Sequence, residues 1–216
     1  MVAPHPDDET LGAGGLIAGA VAAGAAVAVV LGTDGNRRGL GRVRAREYAA
    51  ALDCLGVPEA GRIRLNYADG SLARQPPGCV DLHLAETLSA LRPDHVVLPA
   101  PWDCHPDHAV LGHAAAHWVQ QTGVPCSAYP IHASGFPRPR GFRPSEPLLP
   151  PSALLPCGWK WTSLPLSPTA LRCKLDALRC HRTQLWTPTL RGLLLSLVRQ
   201  NELFAVRSEG INGGSP

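Results

Sequence analysis

The chain has 216 residues, 45% of them hydrophobic and 17% charged, with a net charge of +3. That length suits one domain with a sizeable core, expected over 1–216, and the small, dispersed positive charge argues against a nucleic-acid partner. Seven cysteines without a CxxC pair argue against a zinc ribbon or a complete disulfide framework and for a reducing cytoplasm.

The expected elements alternate along the chain. Met1–Pro4 reads as a strand stub. Thr10–Ala23 reads as a helix rich in glycine and alanine, with Gly24 at its stop. Ala25–Leu31 is a continuous apolar run, as in a strand buried on both faces. The wider stretch from Leu16 to Leu31 is interrupted by Gly19 and Gly24 and has no basic lead, so neither a membrane span nor a signal peptide is expected. Leu40–Leu55 reads as a helix closed by Gly56, and Arg62–Leu65 as a short strand. Asp81 is expected to cap a helix with Leu84, Ala85, Leu88 and Leu91 on its apolar face, ended by Pro93. His95–Pro99 is the next strand. Asp107 is expected to cap a helix running to about Gln121, and Cys126–Ile131 to form a fifth strand. Eleven of the 22 prolines fall within 125–168. This stretch is therefore expected to be irregular, a binding loop or a surface wrap, rather than helices or central strands. Ser167 and Pro168 signal a helix with Leu171, Leu175, Leu178 and Leu185 on one face. Leu203–Val206 reads as a last strand and Gly210–Pro216 as a loose tail.

The alternation predicts an α/β, Rossmann-like three-layer fold with a mostly parallel sheet of order 3-2-1-4-5. In that order the first and fourth strands are neighbours whose connections leave in opposite directions, opening a crevice at their carboxyl ends. Two chemically dense segments follow those strands: Pro4-His5-Pro6-Asp7-Asp8-Glu9 and His105-Pro106-Asp107-His108. Imidazole and carboxylate ligands suit Zn²⁺. His5 and Asp8 can reach one ion from a turn, and His108 could complete a 2-His-1-carboxylate set. Asp7 is then free to act as a general base. Asp107 could orient His105 as an imidazolium that stabilises an oxyanion or protonates a leaving amine.

Several other residues read as structural. His113 and His117 have the spacing of an HExxH site, but Ala114 stands where its glutamate belongs. Gly12-Ala13-Gly14-Gly15 lacks a P-loop lysine and suits close packing of a helix start on the sheet. Cys104 reads as packing, while Trp102 and Trp118 could line a sugar site or fill space.

Ala3-Pro4-His5-Pro6-Asp7-Asp8-Glu9 with Gly12-Ala13-Gly14-Gly15, and His105-Pro106-Asp107-His108, resemble the LmbE/PIG-L family of zinc-dependent de-N-acetylases. Weaker matches are Thr33-Asp34-Gly35, Arg44-x-x-Glu47 with Leu55-Gly56-Val57, Asp69-Gly70-x-Leu72, and Lys174 with His181-Arg182-Thr183-Gln184. The resemblance implies His5, Asp8 and His108 as metal ligands and Asp7 as general base. It implies His105 as the group stabilising the tetrahedral intermediate, with Asp107 as its partner, and Arg44 and Asp69 near sugar hydroxyls. It implies removal of acetyl from an N-acetylglucosamine-type amino sugar, free or in a glycoconjugate, with Zn²⁺ as cofactor; Fe²⁺ or another divalent ion suits the same set. Family members act on glycolipids, thiol cofactors, antibiotics or chitobiose. The rival reading is a catalytically silent sugar- or metal-binding protein.

Three positions depart from the family pattern. Four residues precede His5 where the family has more, so a trimmed, weakened first strand is expected. Asn36-Arg37-Arg38 stands where Gly-Glu is usual, which leaves the rim and substrate open. Tyr67-Ala68-Asp69 lacks the proline often found before that aspartate.

Overall fold

The structure, a computed structural model, describes residues 1–152, 154 and 159–207. Its elements are β1 (Val2–Ala3), α1 (Asp8–Ala22), β2 (Val29–Thr33), α2 (Gly41–Leu55), β3 (Arg62–Tyr67), α3 (Cys79–Leu91) and β4 (Val96–Pro99). The chain continues with α4 (Pro106–Thr122), β5 (Cys126–Tyr129), β6 (Trp159–Pro165), α5 (Pro168–Cys180), α6 (Pro188–Leu195) and β7 (Asn201–Arg207). The expected tail at Gly210–Pro216 lies outside the described residues. Among those described, no helix is long and apolar enough to cross a membrane.

The strands alternate their side chains between two cores, as a period of two requires. Ala3, Val29, Leu31, Val97 and Tyr129 face a core completed by α1, α2 and α5. Val2, Val30, Val96, Leu98 and Ala128 face the other, completed by α3 and α4. The result is the expected three-layer α/β arrangement.

The sheet itself differs from expectation at its middle. The order 3-2-1 and the neighbours 4-5 are present, but as two sheets, β1-β2-β3 and β4-β5-β7-β6. The first sheet is parallel, and β4 pairs parallel with β5. No ladder joins β1 to β4. The Val2 carbonyl is taken instead by the Tyr129 hydroxyl, which donates to it at 2.9 Å. The Tyr129 ring lies against Gly12, where a Cβ would stand 2.2 Å from the ring. That glycine is thus a packing residue, as the sequence suggested.

Other boundaries moved for physical reasons. The helix expected to begin at an Asp81 cap starts at Cys79, with Gly78 as its cap in the left-handed region. Asp107 is likewise inside its helix, and His105 caps it. Within the proline-rich stretch, β6 pairs antiparallel with β7 and forms the sheet's outer edge, where a missing N–H is tolerated. Ser167 caps α5 as expected, its hydroxyl accepting from the Ala170 amide at 3.1 Å.

Helix α1 carries a kink at Ala13, with φ −148° and ψ 20°. A kink frees main-chain groups that then need other partners. Lys174 Nζ donates to the Leu11 carbonyl at 2.9 Å. The Glu202 carboxylate accepts from the Gly15 and Leu16 amides at 2.7 and 2.8 Å. Lys174 and Glu202 are themselves paired at 2.7 Å, each about 1% exposed. This buried ion pair plugs the kink and so sets the direction in which the first turn of α1 enters the cleft.

Lys174→Met would leave the Glu202 charge buried without a counter-ion, at a cost of about 3–5 kcal/mol. The expected outcome is a large fall in the urea midpoint, partly restored by adding Glu202→Gln. A single variant as stable as the parent would remove the pair from this role.

Candidate functional site

The carboxyl ends of β1 and β4 open onto a cleft of about 350 Å³. His5, Asp7, Asp8, Arg44, Asp69 and His105 line it. Asp107 and His108 lie in contact with them from behind. All eight residues singled out from the sequence therefore meet in one place.

Three atoms able to ligate a metal converge there. His5 Nδ1 is 3.2 Å from Asp8 Oδ2 and 3.3 Å from His108 Nε2, and His108 Nε2 is 3.0 Å from Asp8 Oδ2. Ligands bound at 2.0–2.2 Å in tetrahedral geometry stand about 3.3 Å from one another. The triangle therefore fits a small divalent ion. Three overlapping groups of donors also share these residues: His5 with His105 and His108, Asp8 with His108 and His132, and His5 with Asp69 and Asp107.

The outer partners decide which ring nitrogens are free to ligate. His5 Nε2 faces Asp107 Oδ2 at 3.1 Å and Asp69 Oδ1 at 3.5 Å, an arrangement that favours a proton on Nε2 and an Nδ1 able to ligate. His108 Nδ1 faces Asp103 Oδ2 at 3.4 Å, leaving Nε2. Asp103 is in turn fixed by accepting from the His105 and His132 amides. Burial disfavours charge on both rings. The hydrogen bonds that the His5 ring donates to the Asp107 and Asp8 carboxylates outweigh it, and its pKa is pushed up to about 10. The carboxylates of Asp8 and Asp103, 3.0 and 3.4 Å from the two ring nitrogens of His108, raise its pKa to about 9. Burial likewise works against the Asp8 charge, but His108 and His5 hold its carboxyl well below the usual range.

Asp107 does not do what its position suggested. Its carboxylate reaches His5 and the Gly70 and Leu72 amides, at 2.7 and 3.0 Å, rather than the His105 ring. What His105 receives from Asp107 is the backbone amide, which donates to its Nδ1 at 3.2 Å. The reason is that Pro106 starts α4, so Asp107 sits in the first turn and its amide points back at the cap. His105 is also not an imidazolium. Burial and the neighbouring His5, His108 and His132 push its pKa down to about 4, in keeping with its place at the positive end of a helix. With Nδ1 accepting, the neutral ring carries its proton on Nε2 as a donor.

Asp7 caps α1 with φ 130°, a strained value for a residue with a side chain. Its amide donates to Glu9 Oε2 at 3.0 Å, and its carbonyl accepts from the Leu11 amide at 2.9 Å. Glu9 Oε1 faces His181 Nε2 at 3.2 Å. Burial and the adjacent Asp8 charge raise the Asp7 carboxyl to about 7 against the opposing pull of Arg44. Arg44 donates to the Pro6 and Gly35 carbonyls at 2.7 and 3.2 Å and lies 3.5 Å from Asp7 and 3.4 Å from Asp69.

Sequence reasoning missed Asp103 and His132, the second a cleft residue whose ring centroid is 4.7 Å from that of His108. Asp103 stands two residues before His105, close enough to the motif to have been weighed. Gln184, Leu190 and Leu194, on and before α6, form another wall. His113 and His117 are exposed on α4, and Cys104 is exposed rather than packed. Trp118 is buried and donates to Ser89, while the Trp102 and Trp161 rings meet edge to face. Neither Trp102 nor Trp118 lines the cleft.

Comparison with known proteins gives the chain a family. The model of the family described as PIG-L, GlcNAc-PI de-N-acetylase, matches residues 1–119. The 1D-myo-inositol 2-acetamido-2-deoxy-alpha-D-glucopyranoside deacetylase of Mycolicibacterium vanbaalenii is 39% identical over 61% of this chain, a match spanning about half (55%) of that protein. The protein of the same name from Mycolicibacterium paratuberculosis is 33% identical, over 91% of this chain and 83% of its own length. The diacetylchitobiose deacetylase of Thermococcus kodakarensis is 26% identical over 90% and 75%. Among solved structures, a conserved protein of Thermus thermophilus superposes with a TM-score of 0.71 at 26% identity, over 98% of this chain and 95% of that one.

A metal ion at this triangle would compete with protons for the His5 and His108 nitrogens, because ligation needs the neutral rings. With both pKa values above 7, binding of Zn²⁺ at pH 7 is expected to release protons. Calorimetric titration in buffers of different ionisation enthalpy reads this directly. Identical heats in all buffers would place the ion elsewhere.

Proposed function

The chain belongs to the PIG-L family of de-N-acetylases, and from that premise we propose that it hydrolyses the acetamide of an N-acetylglucosamine-type amino sugar to the free amine and acetate. Members of the family are hydrolases of linear amides, and the relatives are named for deacetylation of such sugars. The observation that carries the reading is the division of labour in one cleft. A tight ligand triangle, a separate carboxylate poised near neutrality and a separate neutral donor surround the same space.

The ligands we propose are His5, Asp8 and His108, and the ion is zinc. The same donors suit Fe(II), and elemental analysis of anaerobically purified protein separates the two. Bound there, the ion supplies Lewis acidity and an acidified water. The chain's own residues do the rest. Asp7 accepts the proton of the attacking water, as its raised pKa suits a base working near pH 7. His105 donates its Nε2 proton as a hydrogen bond to the carbonyl oxygen while that oxygen becomes anionic. A neutral imidazole at a helix N-terminus is sufficient for this task, so the expected imidazolium is not required. The C–N bond breaks, the proton held by Asp7 passes to the departing nitrogen, and acetate is left. Asp107 acts through His5, whose ring it orients. Arg44 holds Asp7 and Asp69 together, and with Asp69 borders the space proposed for the sugar.

The direct test is acetate release from a panel of N-acetylglucosaminides by the zinc-loaded protein. Asp7→Asn is expected to keep its metal and lose on the order of 10²–10⁴-fold in rate. Release of no acetate by the metal-loaded parent from any member of the panel would remove the deacetylase reading.

A pH profile tests the base. Asp7 must be deprotonated to work, so kcat/KM is expected to fall as pH drops through its transition. That midpoint should lie at or below about 7, because a bound dication stabilises the carboxylate further. Arg44 pulls the Asp7 pKa down, so Arg44→Met should move the acid limb to higher pH. An unmoved limb would assign it to another group.

A further inference from the structure

Among the described residues, one pair of cysteines stands in contact. Cys54 Sγ is 3.7 Å from Cys180 Sγ, across 126 residues of sequence. Cys54 lies in the last turn of α2, and Cys180 ends α5. The two helices bury Ala51, Leu55, Ala177 and Leu178 in one core, which holds the sulfurs at this spacing. Both cysteines are free thiols. A disulfide brings its sulfurs to about 2.05 Å, a closure of roughly 1.7 Å that rotation of two side chains at helix ends can supply.

The two thiols differ in access. Cys54 is exposed and Cys180 half-buried. Cys180 donates to the Asp176 carbonyl at 3.4 Å, and burial and the Cys54 thiol push its pKa up to about 11. The exposed sulfur therefore meets a solute first, and the covered one waits behind it. Neither cysteine lines the cleft, but both adjoin what supports it. Helix α2 carries Arg44, beside Asp7, and Glu47, which accepts from Thr183. Cys180 is followed by His181, which faces Glu9, and Glu9 in turn accepts from the Asp7 amide. The pair thus sits where two braces of the Asp7 turn, one from each helix, come together.

We propose that Cys54 and Cys180 are a reversible thiol–disulfide pair, closed by a small-molecule disulfide, that clamps α5 to α2. The Cys54 thiolate attacks one sulfur of the oxidant, and the other sulfur leaves and takes up a proton. Cys180, having given its proton to solvent, then attacks the Cys54 sulfur of the mixed disulfide, and the second small thiol leaves. The two protein sulfurs lose two electrons, and the oxidant gains them with two protons to become two thiols. The new bond closes a long loop and so restricts the unfolded chain. It also fixes the segment 181–184 to α2, where Thr183 already meets Glu47. The inference is independent of the deacetylase reading.

The test equilibrates the full chain, folded, in buffers of oxidised and reduced glutathione. Free thiols are then alkylated, and the digest is read by mass spectrometry. The expected product links the peptide of Cys54 to that of Cys180 within one chain and reverts in excess reduced glutathione. Cys180→Ser is expected to leave glutathione attached to Cys54, because the second thiol is gone, whereas Cys54→Ser should leave Cys180 unmodified. The linked protein should melt about 5–15 °C above the reduced one, a rise absent from Cys54→Ser and Cys54→Ala in the same buffers. Peptides spanning 181–184 should exchange amide hydrogens more slowly once the link is made. Glutathione persisting on Cys54 of the parent, or links to other cysteines or between chains, would overturn the pairing. A linked protein that melts no higher, or exchanges no more slowly at 181–184, would overturn the clamp.

Discussion

A buried carboxylate must be surrounded by donors or lose its charge, and Asp8 is where the two halves of this protein satisfy that demand. It is 2% exposed. One oxygen accepts from the His5 amide at 2.8 Å and faces the rings of both His5 and His108. The first contacts close the turn after β1, and the last reaches across a hundred residues to the start of α4. The meeting is possible because β1 and β4 lie side by side with their carboxyl ends together. Everything that shapes the cleft can be read as a way of keeping that oxygen supplied with partners.

Much of the supply comes from the later part of the chain. Lys174 and Glu202 satisfy the groups freed by the kink in α1. His181 meets Glu9, which holds the strained Asp7 backbone. Thr183 donates its amide and its hydroxyl to Glu47, at 2.8 and 2.6 Å, one turn along α2 from Arg44. These contacts give the weak late matches in the sequence a physical meaning: they brace the first two helices rather than touch the reacting atoms. A strained base is worth about 1–3 kcal/mol of conformational cost, and such bracing is what lets the fold sustain it.

The parts legible in the sequence were those with a local cause. Buried strands read as apolar runs, helices as capped periodic segments, and the two motifs as ligand sets at strand ends. The topology rule then brought the motifs together correctly. What escaped depended on direction. Asp107 and His105 are close in sequence, so a mutual contact was the natural expectation. The helix start instead turns the carboxylate toward His5 and leaves its amide for His105. Asp103 was passed over because it lies outside the motif, although it buttresses His108 from behind. Helix α6 begins with Thr187-Pro188, the same kind of start signal as Ser167-Pro168, but it is short. Strand β7 covers the last strand expected at Leu203–Val206, whereas β6, at the end of the proline-rich stretch, was not expected and pairs antiparallel with β7 at the sheet's outer edge.

The hydroxyl of Tyr129 on the Val2 carbonyl gives the sheet a seam. On either side of it, strands are knitted by main-chain hydrogen bonds; across it, a side chain makes the junction. Opening a ladder by a fraction of an ångström strains several bonds at once, whereas a tyrosine can pivot about its own torsions. The seam runs beneath the cleft, with His5 and Asp8 after β1 on one bank and His108, on the helix after β4, on the other. Mechanically, the floor is therefore two plates meeting at a compliant joint, and an ion held by the proposed ligands His5, Asp8 and His108 would be the rivet that fastens them.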